Sequence, residues 1–215
     1  MELLTLTDSK LTALHHDVTL EVARRTKVAV NGCDTATILY GHEMAKRALV
    51  VAAAGKHSIL FVGPPNCGKT MLRAIALALG LDQTFEARSC ACGYRNDPQI
   101  ACRCTVSQLD RQRRRLPFAD IHIEVPRPTQ REMSRPGTKL AAMTALIADR
   151  SGYTSLALDE HATNLLNASI AQLGLDLPAR ERIIAVARTI ANLDRRERIT
   201  PVHLSEAINY RMFRP

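Results

Sequence analysis

Residues 58–70 read Ser-Ile-Leu-Phe-Val-Gly-Pro-Pro-Asn-Cys-Gly-Lys-Thr, and this stretch decides the fold. Its first half is a short apolar run, which is typical of a buried parallel strand. Its second half, Gly63–Thr70, matches the P-loop pattern G-x-x-x-x-G-K-[S/T]. A helix is predicted to follow as far as about Leu79, with Gly80 ending it. A strand, a glycine-containing loop and a helix in this order predict an α/β fold.

The residue types of this loop suit a polyphosphate. Gly63 and Gly68 allow the close backbone approach that a Cβ would block, so that the amides can form an anion site at the start of the helix. Lys69 is expected to reach the β- and γ-phosphates, and the Thr70 hydroxyl to ligate Mg²⁺. We predict that Cys67 acts through its amide rather than its sulfur. The alternative is a glycine-rich turn without a ligand. The predicted nucleotide site comprises Gly63, Pro64, Pro65, Asn66, Cys67, Gly68, Lys69, Thr70 and Met71.

Composition indicates a globular chain rich in helix. The 215 residues are 46% apolar but only 4% aromatic, and Trp is absent. The core must therefore consist mainly of Ala, Leu, Ile and Val, which suits close-packed helices better than an all-β sandwich.

The charge balance favours a polyanionic partner. The formal net charge is +8, and four arginines cluster at Arg111 and 113–115. This basic run predicts contact with DNA phosphates. The alternatives are a solvated helix face or a patch between subunits.

The sequence predicts a cytoplasmic protein that does not enter a membrane. It contains no run of about 18 apolar residues, and its N-terminus has an early acid and no basic segment of the signal-peptide kind. In the cytoplasm, six cysteines are expected to be metal ligands or reduced thiols rather than disulfides.

Four of the cysteines form two close pairs. Cys90 and Cys92 are separated by nine residues from Cys102 and Cys104, and the intervening turn residues would let one loop wrap around a tetrahedral Zn²⁺. The alternatives are unliganded thiols and an iron–sulfur cluster. Cys33 is not predicted to be a ligand.

Patterning divides the chain into four segments. A helix over about 9–28 makes 1–37 an N-terminal helical extension, and 38–126 forms the nucleotide-binding core with the cysteine cluster. The core also has a helix over 42–54, a weak strand over 83–87 and a strand over 120–125 with one polar face. Three prolines and a glycine within 126–137 predict a linker, which is assigned to 127–137. The remainder, 138–215, is predicted to be a helical lid with helices over 138–149, 159–173, 178–194 and 201–211.

Several stretches resemble the magnesium-chelatase-like AAA+ ATPases, specifically the ComM/YifB branch. They are residues 40–55 running into the P-loop, 90–104, 121–126, 186–193 and 203–211. The resemblance covers about 38–126 and 155–211 in the family's order. It implies an α/β core with a four-helix lid, assembly into a ring, and ATP hydrolysis coupled to work on another macromolecule. For the ComM branch, that work is DNA branch migration.

The resemblance also implies further nucleotide contacts. It places Tyr40 and Gly41 at the nucleotide site and makes Arg182 a lid arginine that contacts the phosphates.

This sequence departs from the family where hydrolysis is catalysed. The family has a long segment before the cysteines with a strand ending in Asp-Glu, whereas only about ten residues separate Leu79 from Cys90 here. In the resemblance, Arg88 takes the place of an Asn that senses the γ-phosphate, and the arginine finger aligns near Phe118. The alternative is that Arg113, Arg114 or Arg115 substitutes for the finger, although the spacing does not require it. Asp159-Glu160 is predicted to be a helix start rather than the missing acid pair.

The sequence thus predicts a reduced P-loop AAA+ core with few parallel strands and a C-terminal helical lid. The predicted function is ATP binding in a DNA-associated protein, with hydrolysis weak or absent and no catalytic residue assigned. One alternative is an active ATPase completed in trans by a partner subunit, such as a full-length homologue. Another is a non-catalytic regulatory protein in which the nucleotide is a structural ligand.

Overall fold

The computed structural model of the protein describes residues 37–97 and 99–211. The predicted N-terminal helix over 9–28 and Cys33 lie outside the described residues.

The P-loop strand is the centre of a small parallel sheet. Strands β2 (Ile59–Val62), β3 (Thr84–Ala87) and β4 (Ile121–Glu124) are ordered β3-β2-β4, and Ile59 is in register with both Thr84 and Ile121. All four side chains of β2 are fully buried, as its apolar run predicts. The three predicted strands are confirmed.

Helices α1 (Glu43–Gly55) and α2 (Lys69–Ala78) flank this sheet, and α3 (Val106–Arg113) follows the cysteine cluster. Helix α1 packs against β4 on one side and against two helices of the C-terminal region on the other. Three of its alanines (Ala45, Ala48 and Ala52) and both valines are buried in the same hydrophobic core as the sheet and the C-terminal helices. The C-terminal helices and the parallel sheet therefore share one hydrophobic core.

The segment predicted as a linker contains local structure. Helix α4 (Gln130–Met133) is capped by Thr129, whose hydroxyl accepts a hydrogen bond from the Glu132 amide. Just after it, β5 (Thr138–Lys139) pairs antiparallel with β1 (Ile38–Leu39). This pairing joins the segment before α1 to the start of the helical region.

The C-terminal region is helical, as predicted. Its helices start and end at local sequence signals: Asp159 Oδ1 accepts from the Ala162 amide at 2.6 Å, Gly174 ends a helix at φ 51°, and Pro201 follows the predicted N-cap Thr200. The four helices are α5 (Leu140–Ala148), α6 (Glu160–Leu173), α7 (Leu177–Leu193) and α8 (Pro201–Asn209).

The polar face predicted for β4 is only partly exposed, because Glu124 is exposed whereas His122 is buried. His122 is only 5% exposed and lies on the same face of the sheet as Leu60, its register partner. Leu116 and Ala119, in the segment that enters β4, join the small hydrophobic cluster on this face. The alternating pattern could not reveal this cover because it comes from residues outside the strand.

A half-buried histidine links the sheet region to the helical region and should make stability depend on pH. His57 Nε2 lies 2.8 Å from Thr189 Oγ1, and burial lowers the pKa of His57 despite the opposing charge of Asp120. Because the folded protein holds this imidazole neutral, the stabilisation is present above the unfolded-state pKa of about 6.5 and is lost as pH falls through the folded-state pKa.

We therefore expect the melting temperature to fall between pH 7 and pH 5.5, and to fall less in a His57→Gln variant. Differential scanning fluorimetry across this range measures the effect. Some pH dependence should remain in the variant, because burial also lowers the pKa of His42 and of His203. An unchanged dependence in His57→Gln would contradict the assignment.

Candidate functional site

Both P-loop glycines occupy positions where a side chain cannot be accommodated easily. A Cβ on Gly63 would come within 2.2 Å of the Val125 carbonyl oxygen, and Gly68 has a φ of 96°. The Val125 amide donates to Val62 O at 2.7 Å, which fixes the loop's first residue against the edge of the sheet. The glycine pattern is thus required by the backbone path of the loop.

The loop leaves hydrogen-bond donors at the start of α2. Gly68, the residue before the helix, provides no side-chain cap for the first-turn amides. Lys69 Nζ folds back over the loop and donates to Gly63 O at 3.0 Å and Pro64 O at 2.6 Å. Positive charge and first-turn amides therefore lie together, an arrangement that suits an anionic group.

The C-terminal half of the loop, at Cys67 and Gly68, contacts His42, which the sequence analysis did not single out. His42 precedes α1 with a φ of 54°, and Gly41 before it has a φ of 63°. Burial lowers the pKa of His42, while a hydrogen bond to the Cys67 backbone acts in the opposite direction. The predicted contact residues Tyr40 and Gly41 are thus next in sequence to a side chain that touches the loop, and Tyr40 is exposed.

A pocket of about 440 Å³ begins at His42 and extends along the end of the sheet. Across it, the Asn96 amide donates to Glu124 Oε1 at 2.8 Å. This volume is within the range of small-molecule sites. The lining residues are His42, Glu43, Met44, Ala45, Asn96, Glu124, Pro126, Pro128 and Glu132.

Thr70, the last P-loop residue, and Met71 after it are exposed. The Thr70 hydroxyl donates to Glu86 Oε2 at 3.1 Å, which brings a carboxylate from the neighbouring strand to the hydroxyl expected to bind Mg²⁺. This donor pair fits the oxygen ligands that Mg²⁺ prefers. Sequence reasoning missed Glu86 because it sought an adjacent Asp-Glu pair.

That acid pair is missing from the described strands. Strand β3 is followed by Arg88, and β4 ends at Glu124 before Val125. Asp159-Glu160 caps and starts α6, which confirms the prediction of a helix start.

Arg182 is not brought to the P-loop of its own chain. Its guanidinium lies 3.9 Å from the centroid of the Phe118 ring, and its Nε is 3.4 Å from Asp120 Oδ1. Asp120 accepts hydrogen bonds from Ser58, just before β2 begins, whereas the P-loop follows the end of β2. The strand therefore separates Arg182 from the loop.

The four clustered cysteines converge. Their sulfurs all lie within 4.8 Å of one another, with Cys90 Sγ 3.3 Å from Cys92 Sγ and 3.6 Å from Cys102 Sγ. Four thiolates around a tetrahedral Zn²⁺ are about 3.8 Å apart, given Zn–S bonds of about 2.3 Å. Cys90 is buried, and Cys92, Cys102 and Cys104 are half-buried. The group could hold a metal ion.

The thiols of this cluster hold their protons unequally. A backbone hydrogen bond at Tyr94 lowers the pKa of Cys92 to about 6. The backbone hydrogen bond of Cys104 acts the same way at Cys102, but burial and the neighbouring thiols outweigh it and raise the pKa of Cys102 to about 12. A metal ion bound here would displace the remaining protons.

The cysteine loop, residues 90–104, packs against the P-loop. A Cβ on Gly93, which has a φ of 86°, would lie 3.1 Å from Pro65 Cδ. Asp97 pairs with Arg127 Nε at 2.7 Å, on the far side of the same loop. Together with the Asn96–Glu124 hydrogen bond, these contacts connect the metal-ligand cluster to both the P-loop and the pocket.

The predicted basic run lies at the end of α3. Arg111, Arg114 and Arg115 are exposed, and the Arg113 guanidinium lies 3.9 Å from the Asp110 carboxylate.

Within the described ranges, no helix combines the length and apolar character needed to cross a membrane.

A P-loop on a parallel sheet, followed by a helical region on the same core, defines a reduced AAA+ core. Two family models match this chain: magnesium chelatase, subunit ChlI, over residues 34–86, and magnesium chelatase, subunit ChlI C-terminal, over residues 117–211. The chain belongs to the magnesium-chelatase-like family, in the ComM/YifB branch.

Three curated relatives show this likeness. The chain is 48% identical to competence protein ComM of Haemophilus influenzae over 54 residues, which are 24% of this chain and 11% of the relative. It is 46% identical to the uncharacterized protein YifB of Escherichia coli over 46 residues, 21% of this chain and 9% of YifB. The YifB of Salmonella typhimurium is 56% identical over 32 residues, 15% of this chain and 6% of the relative. The matched stretches thus span about a tenth or less of the relatives' length.

Proposed function

We propose that this AAA+ protein binds ATP with Mg²⁺ at the P-loop. The observation that carries the proposal is the position of Lys69 Nζ, 3.0 Å from Gly63 O, beside the uncapped first turn of α2. In this proposal the phosphates lie against the amides and Lys69. The nucleotide-contacting residues are Gly63, Pro64, Pro65, Asn66, Cys67, Gly68, Lys69, Thr70 and Met71.

The nucleoside half of the ligand is assigned to the adjoining pocket. Tyr40 and Gly41 would contact it from the segment that also positions His42 against the loop. A pocket of about 440 Å³ has room for a base and ribose.

Hydrolysis is proposed to be weak or absent. Phosphoryl transfer depends on positioning the attacking water and stabilising charge on the γ-phosphate. None of the described strands ends in an Asp-Glu pair. By the family resemblance, the position of the arginine finger falls near Phe118, an apolar residue. A phosphate-release assay with ATP and Mg²⁺ tests this: wild type should not exceed Lys69→Ala. Turnover like that of ordinary AAA+ enzymes, abolished by Lys69→Ala, would refute weak hydrolysis.

A second candidate function is an active ATPase whose catalytic site is completed by a residue of a neighbouring subunit. The position of Arg182 favours it. Since Arg182 is separated from its own P-loop by β2, it would reach a nucleotide only when that nucleotide is held by a neighbouring subunit. The test is to add a full-length homologue and to measure whether ATP turnover appears. Turnover that appears with wild type and is lost with Arg182→Ala indicates an assembled ring rather than a non-catalytic binding protein. No new turnover would exclude this candidate.

We also propose association with DNA in the cytoplasm. The net charge of +8 and the exposed arginines at the end of α3 support it. A fluorescence titration with duplex DNA at two salt concentrations tests the proposal, because phosphate contacts predict affinity that falls steeply with salt. Salt-independent or undetectable binding would contradict the proposal that the protein associates with DNA.

The four-cysteine cluster is proposed to hold Zn²⁺. The near-tetrahedral spacing of Cys90, Cys92, Cys102 and Cys104 supports this assignment.

A further inference from the structure

Shortening the segment after α2 brings an acidic side chain to the P-loop. Only residues 79–83 separate α2 from β3, and β3 pairs directly with the P-loop strand. In this register Glu86 lies opposite Phe61, and its carboxylate accepts a hydrogen bond from Thr70 Oγ1 at 3.1 Å. We infer that Glu86 supplies the carboxylate that holds Mg²⁺ beside Thr70, in place of the missing acid pair. This inference rests on the proposed nucleotide site.

The distance between the two oxygens suits one octahedral ion. Mg²⁺–O bonds of 2.0–2.1 Å place neighbouring ligands of an octahedron about 2.9 Å apart. Thr70 Oγ1 and Glu86 Oε2 are 3.1 Å apart, so little adjustment would make them adjacent ligands. Mg²⁺ commonly uses one or two protein carboxylates and completes its shell with phosphate oxygens and water. One carboxylate at this position is therefore sufficient.

The location of Glu86 is unusual for a carboxylate with only a structural role. Glutamate is uncommon in strands, and this side chain is only 22% exposed. Its other partner is Arg73 on α2, with Nη1 3.8 Å from Oε1. Arg73 is half-exposed, and loose surface pairs of this kind contribute little to stability. Arg73 is thus a weak competitor for the carboxylate.

The same end of the sheet provides a matched control. Glu124 on β4 lies opposite Val62, on the other side of the P-loop strand. Its carboxylate accepts from Asn96 at 2.8 Å. Glu86 and Glu124 are therefore the same residue type at the same end of the sheet, but Glu86 is the one whose carboxylate contacts the Thr70 hydroxyl.

The experiment measures ATP affinity by calorimetry with Mg²⁺ and again with EDTA. In Glu86→Gln, we expect the Mg²⁺-dependent gain in affinity to shrink on the order of tenfold, as for loss of other metal-supporting groups. Affinity in EDTA should be unchanged or tighter, because a negative charge near the phosphates has been removed. Mn²⁺ paramagnetic resonance with ATP gives a second readout, in which the signal of bound Mn²⁺ should weaken.

The comparison variants distinguish two roles for Glu86: binding Mg²⁺, or holding α2 in place through its ion pair with Arg73. Glu124 lines the pocket assigned to the nucleoside, so any change in affinity in Glu124→Gln should be equal in Mg²⁺ and in EDTA and should leave the Mg²⁺-dependent gain unchanged. Arg73→Gln should also keep this gain, and Glu86→Asp should retain part of it because the charge is kept. Full Mg²⁺ dependence in Glu86→Gln, or the same loss in Arg73→Gln, would overturn the inference while leaving the nucleotide site intact. If wild type bound no ATP in either buffer, the proposed nucleotide site itself would be overturned.

Discussion

Replacement of Lys69 by alanine is expected to weaken ATP binding on the order of a hundredfold, the upper range for a hydrogen bond to a charged group. The ammonium group now donates to Gly63 O and Pro64 O, within the loop that would receive the phosphates. It therefore needs to turn only slightly to meet a phosphate oxygen. Without the ammonium group, only the partial positive charge of the α2 amides would stabilise the negative phosphates.

Calorimetry with ATP and Mg²⁺ measures this loss, and thermal unfolding without nucleotide shows whether the fold is retained. Lys69 is outside the hydrophobic core, so the melting temperature should change little. Lys56→Ala is the matched control because it removes the same charge before β2, at the opposite end of the strand. Wild-type affinity in Lys69→Ala would contradict phosphate binding at this loop.

The sequence was sufficient for structure that depends on local signals. The apolar run of β2, the Asp159 cap and the Thr200-Pro201 helix start all lie within a few residues of the structure they determine. In each case the deciding interaction is a short-range hydrogen bond or the burial of a contiguous run.

The sequence was insufficient where distant segments meet. The pairing of β1 with β5 joins two-residue strands that are about a hundred positions apart and carry no periodic pattern. The contact between Thr70 and Glu86 depends on the register of β3 against β2, and that between Asn96 and Glu124 on the path of the cysteine loop. Such contacts are tertiary, so propensity and spacing could not predict them.

Replacing two cysteines of the cluster should have the second large effect. In Cys102→Ser/Cys104→Ser, we expect zinc to fall from about one equivalent to less than half, because two thiolates cannot complete a tetrahedral site. The melting temperature should also fall, since metal binding would stabilise a loop in which, among the described residues of 90–104, only Cys90 and Gly93 are buried. Metal analysis and scanning fluorimetry on freshly purified protein measure both. Cys67→Ser is the thiol-matched control and should retain its zinc, because Cys67 lies outside the cluster.

The same variant should bind ATP less tightly, by about fivefold, which is typical of coupling between two sites. The cysteine loop packs Gly93 close to Pro65 and directs Asn96 to Glu124, so losing its shape would disturb both the P-loop and the adjoining pocket. Coupling between binding sites is reciprocal, so ATP should slow the removal of zinc by a zinc-selective chelator to a corresponding extent. Asn96→Ala should reduce this coupling while leaving the zinc content unchanged. Equal ATP affinity with and without zinc would show that the cluster stabilises only its own loop.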